Sequence, residues 1–441
     1  MVASGARAVA RCDALGVAPY SDAPDMLFRA YLTPAHAAAQ EAIAGWMTAA
    51  GMDVRLDPTA NLIGRYDGTD PDAPALIIGS HIDSVRDGGR YDGPLGVMLG
   101  IECVAALHET GVRLPFPVEV IGFGDEEGSR FPSSMLTSRA VAGVLESVDF
   151  AMADREGVTL GQALAHHRHA SEGWHFGRQG RASSAETPAF AGVTGGGGEV
   201  ADYLDARHAP ALAYLEAHIE QGPVLEAEGL PIGIVTGIAS QLRYQLAVTG
   251  MAGHAGTTTM PLRRDALTAA AEMVLAAESI ARAEASDVVA TVGRLIAGPG
   301  APNVIPGRVD FTLDVRSLDA ARRNRVATTI LAEFDRIATA RGIDLVTEQV
   351  NDLPASPCDP RLMALLADAA TAIGQPNFRL PSGAGHDAMV MAALCPTAML
   401  FIRCEKGISH NPAERVDVAD VEIALQAMLG FIHRLGESFA V

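Results

Sequence analysis

Two apolar runs that end directly in polar clusters constrain this chain more than any other feature. ALIIGS (75–80) runs straight into His81, and PVEVIGFG (117–124) runs straight into Asp125, Glu126 and Glu127. A helix-like segment from Leu95 to His108 lies between them. Buried strand, helix and buried strand in alternation predict a parallel sheet covered by helices. In such sheets ligands sit beyond the carboxyl ends of the strands, and both polar clusters fall there. An alanine-rich stretch with helical spacing (34–50, closed by Gly51) and short strands at Val54–Leu56 and Leu62–Tyr66 flank this core.

From about residue 231 the texture changes. GIVTGI (233–238) and RYQLAV (243–248) read as strands before a helix at about 262–283. A strand at about 287–296 follows, then VDFTLDVRS (309–317), whose alternation puts Val309, Phe311, Leu313 and Val315 on one face. A helix at about 318–341 closes the block. The pattern ββαββα predicts a small α+β domain over 231–345, inserted into a larger catalytic domain formed by 1–230 and 346–441. The fold class expected is therefore α/β, with a mixed, mostly parallel sheet. Residues 176–200, with Gly195 to Gly198 in a row, read as a flexible surface insertion.

Composition narrows the class. The formal charge of -20 argues against nucleic acid and against an anionic membrane surface as partners. Cys12, Cys103, Cys358, Cys395 and Cys404 show no CxxC spacing and read as reduced thiols. MVASGARAVARCDALG lacks an apolar stretch of signal-peptide length, and no run approaches the ~20 apolar residues of a membrane span. The expectation is a cytoplasmic protein.

Four clusters carry chemistry. In GSHIDSVRDGGRYDGPLG, His81 can present one ring nitrogen to a metal while Asp83 holds the other or orients the loop. Gly88, Gly89 and Gly93 let the chain fold Asp92 back beside His81. In GDEEGSRF, three carboxylates at the end of a buried strand are costly unless a dication relieves them. Two adjacent glutamates can then divide the work, one ligating and one moving a proton. EAHIEQGPVLE offers His218, Glu220 and Gln221, and GISHNPAE offers His410 and Asn411. Each histidine alone is a weak indication, since thirteen are present; His166, His167 and His169 lie in a tract that reads as surface. Together the set supplies ligands for two divalent ions sharing a carboxylate, although chemistry alone leaves a metal-free enzyme open.

GSHIDS, GGRYDGPLGV, GDEEGSRF, HIEQGPVLE, GHAGTT, PNVIPG, GAGHDA and GISHNPAE occur in this order across about 30–435. In these motifs the chain resembles the hydantoinase/carbamoylase branch of the co-catalytic zinc peptidase superfamily. That branch holds N-carbamoyl-L-amino-acid hydrolases, β-ureidopropionase and allantoate amidohydrolase. The resemblance implies that His81 and His218 bind one metal, that Glu127 and His410 bind the other, and that Asp92 bridges them. It makes Glu126 the general base and Asp83 the partner behind His81. His254, Asn303 and Arg316 become the substrate-binding set, with Arg316 as the fork for a carboxylate. Asn303 as a turn residue and Arg316 as a surface charge are the plainer alternatives. His386 would polarise the scissile carbonyl, and Gln221 would add a contact.

The expected reaction is hydrolysis of the ureido C–N bond of a small ureido acid, releasing ammonia and carbon dioxide. Zinc, manganese, cobalt or nickel would serve as the metal. Relatives that are peptidases or deacylases place a carboxylate where this chain has His218, so HIEQGP favours the ureido-cleaving branch over a metallo-aminopeptidase or aminoacylase. SQLRYQL and FIRCEKGISHNP lean the reading to allantoate over an N-carbamoyl-L-amino acid. The resemblance also implies that the inserted domain is a lid and a homodimerisation surface. The stretch from Glu127 to His218 is longer than the branch leads one to expect, and 176–200 accounts for the excess.

Overall fold

The computed structural model describes residues 3–171 and 203–439. The insertion read at 176–200 lies outside the described residues. The chain forms two compact units. One comprises Met1–Thr236, Cys358–Leu380 and His386–Val441, and the other Gly237–Pro357 and Pro381–Gly385.

The first unit is built on a mixed sheet in the order Asp53–Leu56, Leu62–Tyr66, Val118–Phe123, Leu76–His81, Ala213–Ile219, Thr397–Ile402, Ile232–Ile238. The four strands from Val118–Phe123 to Thr397–Ile402 run parallel, with His81 opposite Phe123 and His218 opposite Phe401. Each of the four is buried along its whole length. Full burial favours apolar residues over polar alternation, and Glu119, Glu216 and His218 are charged or titratable side chains that Val118–Phe123 and Ala213–Ile219 bury all the same. The helix Pro94–Thr110 is buried almost all round. Its Gly96 lets it lie flush on the sheet, since a Cβ there would sit 2.2 Å from the Ala217 carbonyl oxygen. The helix Pro34–Ala49 starts where Thr33 accepts the His36 amide and a proline takes the first position.

The second unit is an antiparallel sheet in the order Leu295–Gly298, Arg308–Ser317, Ser240–Thr249, Asp344–Leu353, with Val289–Thr291 also on Arg308–Ser317. Val309, Phe311, Leu313 and Val315 share one buried face with Leu242, Leu246 and Val248, packed against the helices Ala266–Ala283 and Ala320–Arg341. Each helix begins at an aspartate, Asp265 and Asp319, whose side chain accepts backbone N–H groups. A two-stranded ribbon pairs Gly253–His254 with Val304–Ile305.

Both unit boundaries fall later than periodicity suggests. Ile232–Ile238 pairs with Thr397–Ile402 in the large sheet and is buried on both faces. Asp344–Leu353 pairs with Ser240–Thr249 and so extends the small sheet beyond the helix expected to close it. A strand pattern states that a segment will pair, but not with which sheet. His167, read as surface, is buried, and its Nε2 meets the Gln40 Oε1 at 2.7 Å. It is packed between helices, and the polar tract around it hides its inward face. The five cysteines are free and buried, and among the described residues no helix is long and apolar enough to cross a membrane.

Candidate metal centre and active site

The site of the first unit gathers around Asp92. His81 ends its strand, and the chain returns through Gly88, Gly89 and Gly93 to place Asp92 before the helix Pro94–Thr110. Glu414 holds this loop by accepting the amides of Tyr91 at 2.8 Å and Asp92 at 3.2 Å. The Asp92 carboxylate is almost wholly buried, yet it faces three rings. Its Oδ1 lies 3.1 Å from the His218 Nε2 and 3.9 Å from the His81 Nε2, and its Oδ2 lies 3.1 Å from the His410 Nε2. Gln221 Nε2 donates to both oxygens at 3.0 Å, and Ser409 Oγ donates to Oδ2 at 2.9 Å.

Glu127 closes the other side, its Oε1 being 3.6 Å from the His410 Nε2. Asp83 fixes the turn that carries the glutamates, its two oxygens accepting the amides of Glu126 and Glu127 at 3.1 and 3.2 Å. It also lies 3.5 Å from the His81 Nδ1. Potential ligand atoms group within 4.8 Å of one another as His81, Asp92 and His218; as His81, Glu126 and Glu127; and as Asp92, Glu127 and His410. Gln221 and His410 both hold a left-handed backbone, at φ of 56 and 54°. For non-glycine residues this is a costly conformation that concentrates at functional sites.

Ring tautomers show what the centre asks for. His81 Nδ1 faces the Asp83 carbonyl at 3.1 Å and His218 Nδ1 faces the Ile219 carbonyl at 2.9 Å. Carbonyls only accept, so each Nδ1 carries a proton, and in its neutral form each ring would turn an Nε2 lone pair towards Asp92. A lone pair facing a carboxylate oxygen is repulsive unless a proton or a cation lies between. His218 Nε2 is buried, and at 3.1 Å from Asp92 it still makes no directed hydrogen bond.

The electrostatics agree. Burial disfavours charge on His81 and His218, but Asp83 and Glu126 lift His81 well above the usual range and Asp92 lifts His218. The hydrogen bond to Asp92 pushes His410 up to about 9. Burial opposes ionisation of Asp92, yet His218 and His410 hold it well below the usual carboxylate range. Burial pushes Glu126 well above that range and Glu127 to about 7. The pocket demands positive charge, and the residues present fit divalent ions at least as well as protons.

His386 is buried, its ring edge-on to His218 at 4.4 Å between centroids, and burial keeps it well below the usual histidine range, hence neutral. His254 and Asn303 come together on the ribbon of the second unit, where the Ala255 amide donates to the Asn303 carbonyl at 3.0 Å. His254 Nδ1 accepts the Gly256 amide at 3.0 Å, which leaves Nε2–H as an exposed donor. Arg316 stands apart from them on another strand. Asp314 holds it at 2.8 and 3.2 Å and the Gly383 carbonyl at 2.6 Å. Gln221, read as a substrate contact, spends its amide nitrogen on Asp92, while its Oε1 is buried without a hydrogen-bond partner.

Sequence reasoning missed Glu216, Ser409, Glu414 and Asp314. Glu216 could have been found, because it lies two residues before His218 and so on the same strand face. Glu220, two residues after His218, turns out to accept the amides of Val224 and Leu225 at the start of a short helix.

The profile described as Peptidase family M20/M25/M40 matches residues 77–434. The chain is 39% identical over 399 residues to an N-carbamoyl-L-amino acid amidohydrolase of Geobacillus stearothermophilus, covering 90% of this chain and 91% of that one. It is 38% identical over 448 residues to a probable allantoate deiminase of Oryza sativa subsp. japonica, covering 93% and 85%. A crystal structure of an amidase of the hydantoinase/carbamoylase family from Burkholderia multivorans superposes with a TM-score of 0.85 at 32% identity, covering 98% of each chain.

Proposed function

Because the chain belongs to peptidase family M20/M25/M40, we propose that it hydrolyses the ureido C–N bond of a small ureido acid. An N-carbamoyl-L-amino acid or allantoate is the substrate class. The observation that carries this reading is the convergence of His218 and His410 on the two oxygens of one buried aspartate, each at 3.1 Å, with His81 and Glu127 beside them.

His81 and His218 would hold one divalent ion and Glu127 and His410 the other, with Asp92 between them. Zinc, manganese, cobalt or nickel suits such a donor set. When bound, a pair of such ions acidifies water and polarises a carbonyl. Glu126, raised by burial, takes the proton of the attacking water and delivers it to the leaving nitrogen. His386, neutral at physiological pH, donates an N–H to the oxygen on which negative charge develops. Arg316, pre-set by Asp314, presents its fork to the substrate carboxylate, with His254 Nε2–H and Asn303 as further contacts. One water consumed per carbamoyl group gives ammonia, carbon dioxide and the parent amine.

The second unit would act as a lid and as the contact surface of a homodimer. Its edge strand Asp344–Leu353 leaves Val346 and Val350 exposed. We place the enzyme in the cytoplasm, in keeping with five unpaired thiols.

Ammonia release is measured from allantoate and a panel of N-carbamoyl amino acids after manganese or zinc reconstitution, beside N-acetyl and dipeptide substrates. Turnover of a ureido acid is expected. Amine release from acyl or peptide substrates alone would overturn the reading in favour of an aminoacylase or aminopeptidase.

A further inference from the structure

We propose that Glu216 is a positioning residue for His386, an inference that rests on the hydrolase reading above. Glu216 is wholly buried on the strand Ala213–Ile219, two residues before His218 and on the same face. It accepts the Ser80 hydroxyl at 3.0 Å through Oε1, and the Tyr214 hydroxyl at 3.1 Å and the Ala388 amide at 2.9 Å through Oε2. Ser80 immediately precedes His81, and Ala388 lies two residues after His386. One carboxylate thus ties together the segments that carry His81, His218 and His386.

His386 needs such an anchor. It stands just before the five-residue helix Asp387–Met391, with an extended backbone at φ −153° and ψ 161°. A helix this short has little stability of its own. The Ala388 amide is one of the helix N-terminal donors without an intrahelical partner, and Glu216 supplies that partner from the neighbouring strand. The His386 ring is then held edge-on between His218, at 4.4 Å, and Phe401, at 5.7 Å.

Glu216, His218 and His386 bring ligand-type atoms within 4.8 Å, which raises a buried metal site as the rival reading. The Ser80 hydroxyl and the Ala388 amide already take one Glu216 oxygen each, and the Tyr214 hydroxyl, which the Gly79 carbonyl shares at 3.0 Å, lies against the second. That is the satisfaction a buried carboxylate requires, and it favours anchoring over ligation.

The test is Glu216→Gln in the metal-reconstituted enzyme. The amide keeps the shape but turns an NH2 group towards a donor. The expected result is a kcat lower by ~10- to 100-fold, KM within about twofold, unchanged metal content, and a crystal structure in which the His386–Ala388 backbone has moved. In a His386→Ala background the same substitution should add no further loss, because the two residues act as a unit. A purely structural role would instead multiply the losses.

Full kcat in Glu216→Gln, an equal further loss without His386, or loss of metal would each overturn the proposal. If Glu216→Gln does not fold, Ser80→Ala and Tyr214→Phe remove single donors and should show smaller losses with the same dependence on His386; independence from His386 would overturn it. If the unmodified enzyme turns over no ureido acid, the functional reading fails separately. The crystal structure then decides alone, and an unmoved His386 refutes the anchor.

Discussion

Gly93 lies so close to the His81 ring that a Cβ at that position would sit 2.5 Å from its Cε1 and Nδ1. The backbone there has φ of 82°, which a side chain resists in any case. Gly93→Ala should therefore displace the His81 ring and weaken metal binding by ~10-fold or more, the scale seen when the support of a ligand is disturbed. Calorimetric metal titration measures it, with thermal unfolding as the folding control. Metal affinity equal to that of the unmodified protein would count against His81 as a ligand.

The carboxylates of the centre repel one another when cations are withdrawn. Exhaustive chelation should lower the unfolding temperature, and added manganese or zinc should restore it. An ion at about 100 times its Kd adds about 2.7 kcal/mol. His410→Ala should shrink that gain. A melting curve indifferent to metal in both proteins would refute the dication fit.

Glu126 differs from Glu127 in not being assigned to the metal, so the two should respond differently to neutralisation. Glu126→Gln should lower kcat by ~10²- to 10⁴-fold, the usual worth of a positioned proton carrier, with metal content intact. Glu127→Gln should lose metal as well. The roles would have to be exchanged if metal content fell only in the Glu126 variant.

Arg316 offers a planar fork that a lysine cannot reproduce. Arg316→Lys should raise KM for ureido acids by ~10- to 100-fold, as expected for charge-assisted hydrogen bonds of about 1.5–3 kcal/mol. A substrate analogue amidated at its carboxylate should show little difference between the two proteins. An equal effect on both substrates would remove Arg316 from carboxylate recognition.

A pH test comes from Glu119, far from the chemistry. It is buried, and burial opposes its charge, but His208 at 3.0 Å and Arg65 at 2.8 Å bring its carboxyl down to about 2, while Glu119 raises His208. The depressed carboxyl contributes stability above the ordinary glutamate range that is lost as pH falls towards about 2. The raised imidazole contributes stability that is complete below the ordinary histidine value and lost as pH rises through its raised one. Urea unfolding of His208→Gln against the unmodified protein should show a stability difference that is largest at mildly acidic pH and shrinks above neutrality. A difference independent of pH would show that His208 stays neutral.

Much was legible in the sequence because it is local. Largely apolar runs ending at His81 and Asp125 announced buried parallel strands, and alternation from Val309 to Val315 announced a strand with one buried face. The kinds of side chain that meet at the centre were legible too, since carboxylates at a buried strand end call for a counter-charge. Which sheet a strand joins was not legible, as Ile232–Ile238 and Asp344–Leu353 show. Hydrogen-bonding groups on a strand do not name their partner.

Only the tertiary structure decided how partners distant in the chain meet. Gln221 and Ser409 hold Asp92, Glu414 holds its loop, and Glu216 reaches Ala388. Hydrogen bonds act over about 3 Å of space, whatever the number of residues between donor and acceptor. The chain's own order therefore specifies which chemical groups stand at each strand end, and the folding of those ends towards one another specifies which of them touch.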